Sequence, residues 1–282
     1  MSMNIELTEK QILTIKELAN KTRKEIGLHT DVPVADHILR YLESKNIIIC
    51  HYPFKDGLHI DANITIFHTD NNPLEFIGLN SNLYYDEQIF ALAHELYHYL
   101  TKSGLAYSEN DKANESIEKM ADRFAAELLL PEEVLKNIVI KTFNNQNLNE
   151  IYNLRILRFI ALLQIEWWLP YRSVLKRLEE ENLLTNEVVE NLYKINHRDE
   201  NSNYGKIFKS INPEIFTLLN SKSQNISISK NVMEVFIRNF EENIISEDEF
   251  IELLQIFGKS PLDFGFDLIA PPIDGSKEQI EE

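Results

Sequence analysis

Two histidines four residues apart constrain this chain more than any other feature. His94 and His98 lie in the mostly apolar stretch ALAHELYHYL, residues 91–100. On an α-helix these positions project from nearly the same face about one turn apart, so both imidazoles can reach one tetrahedral metal ion. Glu95 would lie about 100° further round the helix, where a carboxylate flanks the ion without binding it. In that position it can take a proton from metal-bound water and deliver it to a leaving amine.

The histidine spacing also has a structural interpretation. A His-Glu-x-x-His pattern arises by chance in some chains of this length, and a histidine pair on an amphipathic helix can be a half-buried structural pair. The spacing of the two histidines therefore leaves both a metal site and a structural pair open.

A second helix, predicted at 115–130 and ended by Pro131, carries acidic groups that bear on this choice. Glu118 and Asp122 lie on or near one face with three alanines, Ala121, Ala125 and Ala126, whose small side chains allow close approach of another helix. Glu118 could supply a third ligand and leave a fourth position for water, and Asp122 could accept a hydrogen bond from the outer nitrogen of a ligand histidine. An acidic, solvent-exposed face on an ordinary helix would account for the same two residues.

Together the two stretches resemble the ImmA/IrrE family of metallopeptidases. The sequences IFALAHELYH (89–98) and EKMADRFAAELLLP (118–131) follow the family's AHElxH helix and its downstream ExxA(N/D)xFAxxLLxP helix, in that order. The resemblance covers about residues 8–135. Tyr97 departs from the pattern, because the family commonly has glycine there; its ring would either narrow the cleft or pack in the core.

The resemblance implies a function and a set of roles. His94, His98 and Glu118 would bind Zn²⁺ as a gluzincin-like ligand set, and Glu95 would be the general base. The chain would be a zinc metalloendopeptidase that acts as an anti-repressor. Its substrate would be a specific helix-turn-helix repressor encoded nearby, whose cleavage switches on phage, mobile-element or stress genes.

The order of predicted elements indicates an α+β fold. A zincin-like peptidase domain at 1–135 would contain helices at 8–24 and from 31–33 onward. Three strand-like runs, at 47–52, 59–67 and 75–80, would form a small antiparallel sheet.

A mostly helical C-terminal region would follow this domain. The sequence divides it into a helix-turn-helix-like segment at 136–196, a linker with a short helix at 197–228, a helical hairpin at 229–270 and an acidic, disordered tail at 271–282.

Composition narrows the class of partner. The chain has 282 residues and a formal net charge of −17, which argues against direct binding to nucleic acid, since phosphate contacts need clustered lysine and arginine. A single cysteine, Cys50, excludes a disulfide framework within the chain and fits a reducing cytoplasm. The most apolar run, 159–170, is too short to span a bilayer and contains two polar residues. We therefore expect a cytoplasmic protein without a membrane segment.

Two other functions stay open from the sequence. The chain could be a non-catalytic zincin-fold module that binds a partner repressor or toxin, or a direct transcription regulator that uses residues 149–195. The sequence also does not identify the group that would stabilise an oxyanion; Tyr84 and Tyr171 are the candidates.

Overall fold

The computed structural model describes residues 7–55, 57, 60–68, 73–103 and 111–268, without the side chains of 111–113. The chain divides into two compact units, Met1–Asn225 and Ile226–Glu282. The predicted disordered tail at 271–282 and the start of the predicted strand at His59 lie outside the described residues. The finer domain boundaries given by the sequence stay predictions.

The first unit contains ten described α-helices and three described strands. The helices are α1 (Glu9–Ile26), α2 (His37–Ser44), α3 (Tyr85–Thr101), α4 (Asp111–Leu129), α5 (Glu132–Phe143), α6 (Asn153–Trp167), α7 (Tyr171–Glu180), α8 (Asn186–Tyr193), α9 (Asn203–Ile211) and α10 (Pro213–Leu219). The strands are β1 (Ile48–Tyr52), β2 (Ala62–Phe67) and β3 (Leu74–Asn80). The second unit has β4 (Ser227–Ile228), α11 (Lys230–Glu241), α12 (Glu247–Ile256) and a 3-10 turn (Pro261–Phe264).

The α+β prediction is confirmed, but the sheet is mixed rather than antiparallel. Within the first unit β3 lies between β2 and β1. β2 pairs antiparallel with β3, as in Ile64 opposite Ile77, whereas β1 pairs parallel with β3, as in Ile49 opposite the same Ile77. Turn signals in the sequence indicate where strands end but do not specify which strands become neighbours, so the antiparallel prediction was wrong for the β1–β3 pair.

Two predicted boundaries differ from the structure for local reasons. The second helix begins at His37 rather than at 31–33, because Ala35 has a positive φ of 41°, which a right-handed helix does not allow. The segment at 197–228, predicted as a linker with one short helix, contains two helices, and the first of them is α9. The Ser202 side chain accepts a hydrogen bond from the Gly205 amide and so caps that helix.

A buried ion-pair network holds α4 against α7. The Arg177 guanidinium, on α7, is 1% exposed and lies 2.7 Å from a carboxylate oxygen of Glu127, on α4. Arg123, also on α4, reaches Glu181 at 2.8 Å and contacts Glu180. The residues just after the predicted peptidase domain are therefore packed into the same unit as the helix that carries Glu118 and Asp122.

In the second unit, three phenylalanines pack α11 against α12 and the following turn. Phe240 stacks on Phe250 with ring centroids 4.4 Å apart, and Phe266 meets both rings edge-on. Ser246 and Glu249 form the capping box that the sequence indicates at the start of α12.

Replacing Arg177 with alanine would test the network. The change leaves the buried Glu127 carboxylate without its main counter-charge, so we expect a loss of about 3–5 kcal/mol in the free energy of unfolding. Both tryptophans, Trp167 and Trp168, lie in the first unit, and their fluorescence during urea denaturation reports on that unit. Arg158→Ala, at an exposed site on α6, should change stability by less than about 0.5 kcal/mol. Equal losses in the two variants would contradict a special role for the Arg177–Glu127 pair.

Candidate metal centre

Helix α3 carries three of the predicted site residues and is anchored at its first turn. Asp86 is fully buried there and lies 2.8 Å from the Arg198 guanidinium. Burial raises the pKa of Asp86 to about 6, although Arg198 opposes this shift. The anchored first turn holds the helix in place for His94, Glu95 and His98, two turns or more further along.

Helix α4 packs against α3 and brings the two predicted acidic residues to the histidines. A Glu118 carboxylate oxygen lies 3.0 Å from Nε2 of His94, and the other lies 3.6 Å from Nε2 of His98. Asp122 Oδ1 lies 3.0 Å from Nδ1 of His94. The two Nε2 atoms are 3.2 Å apart. Two residues of one helix and one of the next thus direct their ligand atoms to a single point.

The donor set fits a transition-metal ion. His94, His98 and Glu118 each offer one ligand atom, and the three atoms lie within 4.8 Å of one another. Two imidazole nitrogens and one carboxylate oxygen are ligands that zinc takes in catalytic sites, where a fourth position is left for water. Asp122 holds the outer nitrogen of His94, as carboxylates commonly do beside a metal-binding histidine. These residues could therefore hold a metal ion.

The electrostatics of the cluster favour a positive charge at the same point. Burial disfavours the charged imidazole of His94, but hydrogen bonds with Asp122 and Glu118 outweigh that cost and raise its pKa to about 10. The hydrogen bonds from His94 and His98 lower the pKa of Glu118. The proton on His94 provides this positive charge. A divalent cation bound by His94, His98 and Glu118 would provide it instead.

Glu95 is buried beside the cluster and fixed by the sheet. Its Oε2 accepts a hydrogen bond of 2.9 Å from the backbone amide of Ile64, in β2. Burial raises the pKa of the Glu95 carboxyl, and the two histidines oppose the shift. A carboxylate held in one orientation, with a raised pKa, is suited to accept and return a proton.

A cavity of about 370 Å³ lies in front of these groups. Its lining comes from β2 and the segment before it, from α3 and from α4: Ile60, Asp61, Ala62, Asn63, Phe90, Ala91, His94, Glu95, Glu118 and Asp122. Asp61 was not among the residues that the sequence indicated, because it belongs to neither helix motif. Burial raises the pKa of its carboxyl, and Glu87 and Asp122 add to the shift while His94 opposes it. Four carboxylates thus line one cavity.

Tyr97 packs in the core and does not line this cavity. The side chain is buried, and its ring lies 5.6 Å from that of Phe124 and 5.9 Å from that of His98, between centroids. The tyrosine that replaces the family's glycine therefore packs behind His98 and does not narrow the cleft.

Neither tyrosine considered for an oxyanion lines the cavity. The Tyr171 hydroxyl donates to the Leu192 carbonyl at 3.1 Å. Tyr84 precedes α3, ten residues before His94, which places it about 15 Å along the helix axis. Three further histidines lie in or next to the predicted strands. His51 and His68 are not part of the cluster, and His59 lies outside the described residues.

A helix pair that directs two histidines and a glutamate to one point, with a second glutamate beside them, is the kind of centre found in metallopeptidases. Residues 58–154 match the family model of the IrrE N-terminal-like domain, of the peptidase M78 family. The ImmA/IrrE prediction is confirmed for this segment, which includes all five site residues. A peptidase-like role of the IrrE type follows for this domain.

One solved structure, a Mycobacterium tuberculosis transcriptional regulator, aligns with 59% of this chain at 16% identity and a TM-score of 0.39. The aligned part is 46% of that regulator's length. No curated protein matches the chain.

None of the helices in the described part of the chain is both long enough and apolar enough to cross a lipid bilayer.

Zinc titration of single variants would test the ligand set. The wild type should bind one zinc ion, His98→Ala should lose it, and Asp122→Asn should bind it about 10–100-fold more weakly because His94 is no longer held by a carboxylate. His68→Ala, at an exposed site just after β2, should bind zinc as the wild type does. The readouts are calorimetry and metal content after dialysis. Full zinc occupancy in His98→Ala would rule out the proposed ligands.

Proposed function

We propose that this chain is a zinc-dependent endopeptidase that cleaves a specific protein substrate. The observation that carries the proposal is the convergence of His94, His98 and Glu118, with ligand atoms within 4.8 Å, beside a buried and oriented Glu95. A histidine pair with a purely structural role would not require the Glu118 carboxylate beside both imidazoles. It would also not require Glu95 to line the cavity in front of them.

Each residue of the site would have a separate role in peptide hydrolysis. Zinc, when bound, would polarise the scissile carbonyl and lower the pKa of its bound water. His94, His98 and Glu118 would hold the ion, and Asp122 would keep the His94 ring in the orientation and tautomer that present Nε2.

Glu95 would move the proton. Its Oε2 is held by the Ile64 amide, so the carboxylate keeps one orientation while it accepts a proton from the attacking water and passes it to the leaving amine. The raised pKa of Glu95, caused by burial, makes its carboxylate a stronger base toward the attacking water.

The substrate proposal rests on the family. We propose a DNA-binding repressor of the helix-turn-helix type, encoded nearby, whose cleavage switches on phage, mobile-element or stress genes in the cytoplasm. The alternative, a non-catalytic module that binds a repressor or toxin, draws no support from Tyr97, because that ring is part of the core.

Co-expression with the repressor-like protein encoded next to the gene would test catalysis. Wild type should give a defined cut in the partner, read from its mass. Glu95→Gln should keep its zinc and cleave at least about 100-fold more slowly, because the amide can still accept the Ile64 hydrogen bond but cannot take a proton.

The matched control is Glu133→Gln, which removes an exposed carboxylate on α5 and should cleave as the wild type does. Equal cleavage by wild type and Glu95→Gln would reject Glu95 as the base. An intact partner that co-purifies with both forms would favour the binding module.

A further inference from the structure

A second pocket adjoins the candidate metal centre on the side of α7. It has a volume of about 190 Å³ and shares Phe90 and Asp122 with the cavity of the centre. Its far wall includes Arg172, Ser173 and Lys176, all from α7. Because α7 follows the matched segment 58–154, this wall comes from a part of the chain that the family model does not cover.

Two cations of this wall are available to a ligand. Arg172 and Lys176 are exposed and lie one turn apart on the same side of α7. No carboxylate among the described residues pairs with Arg172. Lys176 makes one long contact, 3.7 Å, with Asp122. The pocket's other two arginines, Arg123 and Arg177, are already paired with buried glutamates.

The wall itself is built into the fold. Tyr193, on α8, also lines the pocket, and its hydroxyl donates to the backbone carbonyl of Arg172 at 3.4 Å. One residue beyond Lys176, Arg177 is fixed in the α4–α7 ion-pair network. The two cations therefore project from a helix that is held at two points.

The charges around the candidate centre determine where a charged side chain of the substrate can bind. Four carboxylates, those of Asp61, Glu95, Glu118 and Asp122, line the central cavity, and the chain as a whole carries −17. An acidic side chain of a substrate would be repelled by these groups along most of the cleft. At the α7 wall it would meet two cations, beside Asp122 and Glu180 of the same pocket. The planar Arg172 guanidinium can bind a carboxylate there through two hydrogen bonds.

We propose that Arg172 and Lys176 form a subsite that binds an Asp or Glu side chain of the substrate next to the scissile bond. This inference rests on the proposed function, since it assigns part of the specificity of the same cleft. It also gives the helical region after the matched segment a direct role in selecting the substrate.

Peptide binding, measured separately from cleavage, tests the subsite. The protein is the full chain, zinc-loaded and carrying Glu95→Gln so that bound peptides stay intact. The probes are fluorescent, capped peptide pools with randomised uncharged residues and one fixed position, either Glu or Gln. We expect the Glu pool to bind about tenfold more tightly, as one charge-assisted contact provides. Adding Arg172→Glu should abolish this preference, and adding Arg158→Glu, the same change at the exposed site on α6, should keep it.

The possible results separate the two proposals. Equal binding of the two pools, or a preference that survives Arg172→Glu, would overturn the subsite. A third pool, with a free C-terminal carboxylate and no internal acid, distinguishes a chain end from a side chain; tight binding of that pool alone would also overturn it. Cleavage of the same pools by the protein with Glu95 intact is read by mass spectrometry. Acid-selective binding without any cleavage would support the subsite and count against the peptidase.

Discussion

The candidate centre depends on how closely α4 approaches α3. The His94–His98 spacing offers two ligand atoms from one helix, but a catalytic zinc site has a third protein ligand, and here Glu118 of a second helix is positioned to provide it. Ala121 and Ala125 are fully buried on α4 and leave room for the approach. At that separation Glu118 reaches both histidines and Asp122 reaches the outer nitrogen of His94.

The rotation of α4 about its axis is as important as its distance from α3. Asp122 and Arg123 are consecutive, and they point to different neighbours: the first to His94, the second to Glu180 and Glu181 at the end of α7. The ion pairs of Arg123 and Glu127 therefore hold the helix in the rotation that directs Glu118 and Asp122 at the histidines. Buried charges of this kind are costly to desolvate, and here their pairing fixes the orientation of the helix that carries Glu118 and Asp122.

Local patterns indicated which side chains come together at the candidate centre better than they indicated how the strands pair. The i, i+4 histidines and the downstream acidic helix are each encoded within one helix, so helical geometry indicates which side chains share a face. The mixed pairing of β1, β2 and β3 depends on contacts between distant segments, which turn signals do not contain.

Other features of the structure have no signal in the sequence patterns. Ala35 has a positive φ, which is unusual for alanine and could not be predicted from its residue type. Asp61 lines the cavity from the segment before β2, which belongs to neither helix motif. No sequence pattern distinguishes Arg172 and Lys176 from other cations, and only the packing of α7 beside α4 places them next to the centre.

Anomalous diffraction at the zinc absorption edge, from crystals of the full chain grown with zinc, tests the central claim most directly. The account predicts one strong peak bound by Nε2 of His94, Nε2 of His98 and a carboxylate oxygen of Glu118, with α3 and α4 in the arrangement described above. A peak elsewhere on the molecule, or one bound by the two histidines with Glu118 turned away to solvent, would contradict it.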